Sequence, residues 1–228
     1  MASKLRVGLV FGDALTRDGR RMLLLSQDDF DVVYQESDGL AMVNNLTEAL
    51  VDVVLVDNRL KGVSGTSAIA RFQRRAVGSE HKPPAFILTA PFGDNQLLLE
   101  GVRCGATGVV TEEDSTEVLL DSLRAAAKPD PIFNLNRMAE FFAEQGVMYG
   151  GNQRWKLRLA GLNDEEQRVL DAISSGFDGE NLKEQTKLPA TKIRWTLDAL
   201  QLKLGLATRA QLALALYEAG LTKPQANN

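Results

Sequence analysis

Five short apolar runs, separated by segments of helical periodicity, constrain the fold of this chain more than any other feature. The runs are LRVGLVF at 5–11, DVVY at 31–34, VDVVLVD at 51–57, PAFILT at 84–89 and GVVT at 108–111. Apolar residues at helical spacing follow them over 14–26, 39–50, 66–75, 94–104 and 115–127. Apolar strands that alternate with helices predict a doubly wound α/β domain, with a five-stranded parallel sheet covered on both faces.

The residues that follow these strands are the candidate site residues, because ligands of such sheets bind beyond the carboxyl ends of the strands. They are Phe11, Gly12 and Asp13 after the first strand, Asp57 after the third, Thr89 after the fourth and Glu112 after the fifth. The sequence contains no complete set of nucleophile and base, or of metal ligands. We therefore expect no enzyme, no cofactor and no bound metal.

A second part of the chain follows Pro129 and Pro131, which end the fifth helix. Residues 134–145 predict a separate amphipathic helix, and the paired glycines within 147–152 are typical of a flexible link. We therefore divide the chain into a first domain over 1–128, a linker with a helix over 129–154, and an all-α domain over 155–228.

The segment 188–205 carries Ile193, Leu197, Leu200 and Leu204 at the spacing of one apolar helix face. Basic and hydrogen-bonding side chains occupy its other face, which suits either a DNA major groove or solvent. Charge bears on that choice: the chain has a net charge of −4, but residues 155–228 carry ten Lys and Arg against nine Asp and Glu. A modest local basic face remains, and phosphate affinity depends on such local charge.

Cellular location is constrained by the single cysteine, Cys104, and by hydropathy. One cysteine excludes an internal disulfide and fits a reducing cytoplasm. No apolar run approaches the length of a membrane span, and the first residues lack the order of a secretion signal. We expect a cytoplasmic protein without a membrane partner.

The first domain resembles the receiver domain of bacterial response regulators over about residues 4–127. VDVVLVDNRLKGVSG is similar to the strand and loop that carry the phosphoacceptor aspartate, ILTA to the strand that ends in the switch hydroxyl, and GATGVVTEE to the pattern before the last helix. The resemblance implies a flavodoxin-like fold, with Asp57 at the phosphoacceptor position and Thr89 at the switch position. A relic carboxylate at Asp57 and a simple strand-end hydroxyl at Thr89 are the open alternatives.

Four positions depart from the receiver pattern. The acidic pair that holds Mg²⁺ in receivers falls at Phe11 and Gly12, the lysine that pairs with the phosphoryl group at Glu112, and the aromatic switch residue at Val109. Phosphoryl transfer depends on metal and cationic stabilisation of oxygen charge. We therefore expect a pseudo-receiver, controlled by a small-molecule ligand, a regulatory protein or constitutive dimerisation rather than by aspartyl phosphorylation.

The last domain resembles the LuxR-type helix-turn-helix of the NarL/FixJ response regulators over about 160–220. LNDEEQRVL is similar to its opening helix, residues 179–186 to the support helix, 190–203 to the recognition helix, and KLGLATRAQLALAL to its final turn and helix. The resemblance implies DNA contacts by Lys187, Thr191, Lys192, Arg194, Trp195 and Lys203. A solvated face for the cations, and a ring that covers the helix junction for Trp195, are the alternatives.

The final helix, Ala210–Ala219, has two apolar stripes. One can pack on its own domain and leave the other for a partner helix, which predicts a homodimer; burial of both within one protomer is the alternative. The sequence thus favours a sequence-specific DNA-binding transcriptional regulator. The near-neutral last domain keeps open a protein- or ligand-interaction module with vestigial DNA binding.

Overall fold

The computed structural model describes residues 4–47, 50–76, 83–91, 95–127, 135–175 and 179–222. Its internal contacts divide the chain into two compact units, Met1–Pro131 and Ile132–Asn228. Within the described ranges, no helix has the length and apolar content needed to cross a membrane.

The N-terminal unit is a parallel sheet in the order β2-β1-β3-β4-β5. Its strands are β1 (Leu5–Val10), β2 (Phe30–Glu36), β3 (Val53–Asp57), β4 (Ala85–Ala90) and β5 (Gly108–Thr111). Its helices are α1 (Ala14–Leu25), α2 (Gly39–Asn45), α3 (Gly65–Ala76), α4 (Asn95–Cys104) and α5 (Thr116–Ala126). This arrangement confirms the predicted five-stranded, doubly wound α/β fold.

Two apolar cores cover the two faces of the sheet, as the continuous apolar strands predict. Met42 of α2, Ile69 of α3 and Leu97 of α4 belong to one core. Leu24 of α1 and Leu123 of α5 belong to the other. Because β3 lies at the centre, every one of its residues is buried, and its last residue is presented at the edge where the site lies.

One helix of this unit is shorter than expected. The helix predicted over 39–50 ends at Asn45, because Leu46 has an extended backbone (ψ 124°) and turns its side chain into the core. Strand β3 begins at Val53, two residues later than the apolar run. The preceding Asp52 binds Arg6 of β1 with its side chain: the carboxylate accepts the Arg6 backbone N–H (2.8 Å) and an Arg6 Nη2–H (2.7 Å).

The described secondary structure of the C-terminal unit consists of helices joined by turns and loops. Its helices are α6 (Leu135–Glu144), α7 (Gln153–Ala160), α8 (Asp164–Ser174), α9 (Gly179–Thr186), α10 (Ala190–Leu204) and α11 (Arg209–Ala219). The helices predicted over 134–145, 179–186 and 190–203 are present. Helix α7 was not predicted.

The segment expected to be a flexible link is bound to the end of α11. The Gly150 N–H donates to the Tyr217 carbonyl (3.1 Å), and the Tyr149 hydroxyl donates to the Gly220 carbonyl (2.6 Å). The rings of Tyr149 and Tyr217 are in edge contact, with their centroids 5.3 Å apart, and the ring centroid of Phe142 in α6 lies 5.8 Å from that of Tyr217. Both α6 and residues 147–152 thus belong to the C-terminal unit. The division between the units, at 131/132, falls within residues 128–134, which lie outside the described ranges.

Helix α11 differs from its prediction in burial. Leu212, Leu216 and Ala219 of the first stripe are buried, and so are Ala213, Leu214 and Tyr217 of the second. Helices α6 and α7 of the same unit pack against it. The sequence-based case for a free dimerisation stripe on α11 is therefore wrong, because small alanine side chains let neighbouring helices of the same protomer cover it on both sides.

Candidate functional site

The carboxyl ends of β3, β4 and β5 gather the predicted receiver residues at one edge of the sheet. Asp57 and Thr89 are register partners on adjacent strands and are buried. The Thr89 hydroxyl donates to the Val56 carbonyl (3.4 Å), so it is engaged with the neighbouring strand. Glu112 directly follows β5, and its backbone N–H donates to the Ala90 carbonyl (3.0 Å). The strand-end rule thus placed these three residues correctly.

Arg59 lies between the two carboxylates of this edge, a role that was not predicted from the sequence. Its backbone N–H donates to Asp57 Oδ1 (3.0 Å), and its Nε lies 3.5 Å from the same oxygen. Its Nη2 forms an ion pair with the Glu112 carboxylate. The nearby charge of Asp57, followed by that of Glu112, raises the pKa of the Arg59 guanidinium. A cation of the chain itself therefore lies between Asp57 and Glu112.

The residues at the acidic-pair positions do not fit a divalent cation. Phe11 is buried in the apolar core under α1 and α5. A Cβ at Gly12 would lie 3.1 Å from the Arg59 carbonyl oxygen, so the β3–α3 loop occupies the space that a side chain would need. Asp13 caps α1: its Oδ1 accepts the Thr16 N–H (2.7 Å) and hydroxyl (2.8 Å), which lower the pKa of Asp13.

Mg²⁺ requires several oxygen ligands in near-octahedral geometry. The carboxylates of Asp57 and Asp13 are committed to protein donors, and the described residues contain no group of three or more His, Cys, Asp or Glu that could hold a metal ion. The donor set of this edge therefore does not fit the Mg²⁺ of the receiver pattern. Val109, at the switch position, is half-buried and packs against the core formed with α2, α3 and α4.

In the C-terminal unit, α9, a three-residue turn and α10 form a helix-turn-helix. Helix α8 packs against both α9 and α10. It begins with a capping box, in which Asn163 Oδ1 accepts the Glu166 N–H (2.8 Å) and Glu166 Oε2 accepts the Asn163 N–H (2.8 Å). Asn163 is thus the N-cap of α8.

The turn contains an unusual backbone conformation at Lys187. Its φ is +58°, and it is the one non-glycine residue with positive φ in the described part of the chain. The turn is fixed by the Thr186 hydroxyl, which donates to the Leu182 carbonyl (2.7 Å) and accepts the Leu188 N–H (3.3 Å). Pro189 then starts α10 without a side-chain cap, and Gly205 ends it in the left-handed conformation.

The outer face of α10 presents Thr191, Arg194 and Trp195, all exposed, while Ile193, Leu200 and Leu204 are buried. Trp195 is 68% exposed, which favours an indole that points away from the unit over a ring that covers the helix junction. The apolar spacing predicted that Leu197 would be buried, but the buried residue at this turn is Thr196, and Leu197 is half-buried. The Thr196 hydroxyl donates to the Lys192 carbonyl (3.0 Å).

Two predicted DNA-contacting lysines of α10 are ion-paired to the first turn of α8. Lys192 Nζ lies 3.1 Å from Glu165, and Lys203 Nζ lies 2.8 Å from Glu166 and donates to the Gly161 carbonyl (3.2 Å). The Lys192 hydrogen bond lowers the pKa of Glu165. Burial acts to raise the pKa of Glu166, but the hydrogen bonds from Lys203 and the Asn163 N–H outweigh it and leave that pKa lowered.

Known proteins resemble this chain along nearly its whole length. Residues 12–124 match the response regulator receiver domain. The transcriptional regulatory protein YdfI of Bacillus subtilis is 22% identical over 219 residues, 95% of this chain and 97% of YdfI. The nitrate/nitrite response regulator protein NarP of Escherichia coli is 25% identical over 217 residues, 95% of this chain and 96% of NarP. The solved structure of the Salmonella typhimurium RcsB response regulator aligns with a TM-score of 0.50 at 18% identity, over 94% of this chain and 98% of RcsB, which shows a shared fold.

Proposed function

We propose, from the premise that this chain belongs to the response regulators and carries their receiver domain, that it is a DNA-binding transcriptional regulator of the NarL/FixJ type. Relatives that match along almost their entire length are transcriptional regulatory proteins, YdfI among them. The chain has both parts that such a regulator needs: the α/β unit that contains Asp57, and the helical unit that contains α10.

The exposed face of α10 is the observation that carries this proposal. Thr191, Arg194 and Trp195 project from a helix whose opposite face is anchored in the unit. The forked guanidinium of Arg194 can donate two hydrogen bonds to the O6 and N7 of a guanine in the major groove. Lys187 is exposed in the preceding turn, and its proposed role is a phosphate contact, since such contacts fix the register of a recognition helix on the duplex.

Replacing Arg194 tests the DNA-binding part of the proposal. Arg194→Ala should weaken binding to the mapped genomic operator by about 1–3 kcal/mol and relax specificity at one base. Leu202→Ala is the matched control, because Leu202 is an exposed side chain of the same helix, 67% accessible and farther along it. Equal affinity of wild type and Arg194→Ala at matched salt would contradict the assignment of α10.

We further propose that aspartyl phosphorylation does not control this regulator. Arg59 already neutralises Asp57, Phe11 is buried where receivers have a metal-binding acid, and Glu112 repels an incoming phosphoryl group. Treatment with acetyl phosphate and Mg²⁺ should change neither the intact mass nor the oligomeric state. A stable phosphoryl adduct on Asp57 would overturn this part. A ligand, a regulatory protein or constitutive dimerisation then sets the activity.

A homodimer on paired half-sites remains part of the proposal, with a contact other than the buried α11. Helix α1 carries Leu15 and Met22 on one side, two helical turns apart and 83% and 71% exposed. An apolar pair of this kind on a helix surface marks a candidate protein contact. Light scattering of Leu15→Lys beside the wild type tests it: a dimer that persists in the variant places the contact elsewhere.

A further inference from the structure

We infer that α7 is a second DNA-contacting helix, whose Arg154 and Arg158 bind backbone phosphates beside the DNA segment that α10 enters. The inference rests on the proposed function, since it extends the DNA surface of the same unit. Neither side chain was among the DNA-contacting residues indicated by the sequence.

The composition of α7 favours a polyanion. Its sequence, QRWKLRLA, contains three cations and no acid. Neither Arg154 nor Lys156 is ion-paired to any part of the chain that the structure describes, whereas the α10 lysines Lys192 and Lys203 are paired to acids of α8. The described residues of the unit therefore do not neutralise the positive charge of Arg154 and Lys156, and phosphate affinity follows such uncompensated local charge.

Several bonds hold α7 in place before any ligand arrives. The Asn152 side chain accepts the Trp155 N–H (3.4 Å) and donates to Glu218 of α11 (2.9 Å), and the Asn152 N–H donates to the Glu218 carbonyl (3.0 Å). Leu159 is buried beneath the helix. A contact from a pre-positioned helix loses less conformational entropy on binding than one from a free segment.

The end of α7 is joined to the end of α10. The Arg158 guanidinium donates from Nη2 to the Lys203 carbonyl (3.4 Å), and the Lys203 ammonium donates to the Gly161 carbonyl, just past α7 (3.2 Å). Arg158 also stacks over the Trp155 ring at 5.0 Å, which fixes the plane of its guanidinium. The side of α7 that carries Arg158 therefore lies next to the proposed recognition helix.

Helical spacing separates the two sides of α7. Arg154 lies four residues before Arg158 and thus on the same side, one turn farther from α10. Lys156 lies two residues from each, close to the opposite side of the helix. Arg154 and Lys156 are both exposed and carry the same charge. Lys156 is therefore a matched control for Arg154, because the two cations differ in the side of α7 that they occupy.

The test measures the binding of the full-length chain to a fluorescein-labelled duplex of arbitrary sequence, about 30 base pairs long, across about 50–200 mM salt, because phosphate contacts are independent of sequence. Arg154→Gln should reduce the slope of log K against log salt by about 0.9, which is about 3.5-fold less affinity lost across that range. Lys156→Gln should keep the wild-type slope.

Each outcome bears on a different claim. A smaller slope for Arg154→Gln alone supports the inference. Equal slopes for both variants, whether reduced together or unchanged, overturn it, because a general charge effect does not depend on orientation. If Arg194→Ala abolishes operator preference while Arg154→Gln behaves as wild type, the proposed function stands without this inference. A wild-type chain that binds no duplex contradicts the proposed function itself.

Discussion

Replacing Lys187 by glycine should stabilise the C-terminal unit and weaken its DNA binding at the same time. Lys187 has φ +58°, in the left-handed region. That conformation costs an L-residue about 1–2 kcal/mol. Glycine avoids this cost but loses about 0.5–1 kcal/mol more conformational entropy on folding, so from the middle of the two ranges the net stabilisation is about 0.5–1 kcal/mol. The bond from the Lys187 N–H to the Lys183 carbonyl (2.9 Å) involves backbone atoms only and is retained.

Tryptophan fluorescence isolates the relevant unit. The chain has two tryptophans, Trp155 and Trp195, and both lie in the C-terminal unit. Thermal unfolding followed by their emission therefore reports on this unit within the full-length chain. For a domain of this size, about 0.5–1 kcal/mol corresponds to a rise in Tm of about 2–8 °C.

Lys187→Ala separates conformational strain from charge. Alanine keeps the Cβ and so keeps the left-handed cost, while both variants lose the ammonium. Both should bind DNA with a salt slope smaller by about 0.9, but only glycine should raise Tm. A glycine variant no more stable than the alanine variant would refute the strain reasoning. Unchanged slopes in both would remove Lys187 from the DNA surface.

Three further substitutions test the packing of the two units. Phe142→Ala should destabilise the C-terminal unit by about 3–5 kcal/mol, because Phe142 is completely buried; Trp emission measures it. Asp52→Asn should destabilise the N-terminal unit by about 1 kcal/mol near neutral pH. Hydrogen bonds from Arg6 lower the pKa of Asp52, so this difference, measured by calorimetry, should persist above pH 5 and vanish as pH falls below about 4. Gly65→Ala should cost the N-terminal unit about 1–3 kcal/mol, since its Cβ would meet a backbone oxygen at 2.5 Å, whereas Gly19→Ala, with nothing within 4 Å, should not destabilise it.

The fold of the N-terminal unit could be predicted because apolar periodicity and strand order suffice for a doubly wound sheet. The strand-end rule also brought Asp57, Thr89 and Glu112 to one edge. Arg59 could not be predicted: its partner Glu112 is 53 residues away, and only the folded sheet brings β3 and β5 close enough for an ion pair.

The two failures in the C-terminal unit have different causes. Helix α7 has only one apolar pair at helical spacing, Trp155 and Leu159, and its other leucine, Leu157, is 76% exposed, so its periodicity is too short to predict a helix. Its helical state depends on the Asn152 cap and on packing against α11. The two stripes of α11 were recognised, but a sequence pattern does not show whether an apolar face is covered by the same protomer or by a partner.

Arg59 has two carboxylate partners at the receiver edge, Glu112 and Asp57, and the two contacts differ in their energetic effect. An ion pair as exposed as that of Arg59 with Glu112 contributes about 0–1 kcal/mol, so it cannot be what holds the fold together. Asp57 is different, because its side chain is only 10% exposed and a buried carboxylate without a nearby donor or cation is costly. The main effect of Arg59 is therefore to compensate Asp57, which receivers achieve with a bound metal and a lysine. In this chain that compensation is built into the β3–α3 loop, because the Arg59 backbone N–H and guanidinium both face Asp57 Oδ1, at 3.0 Å and 3.5 Å.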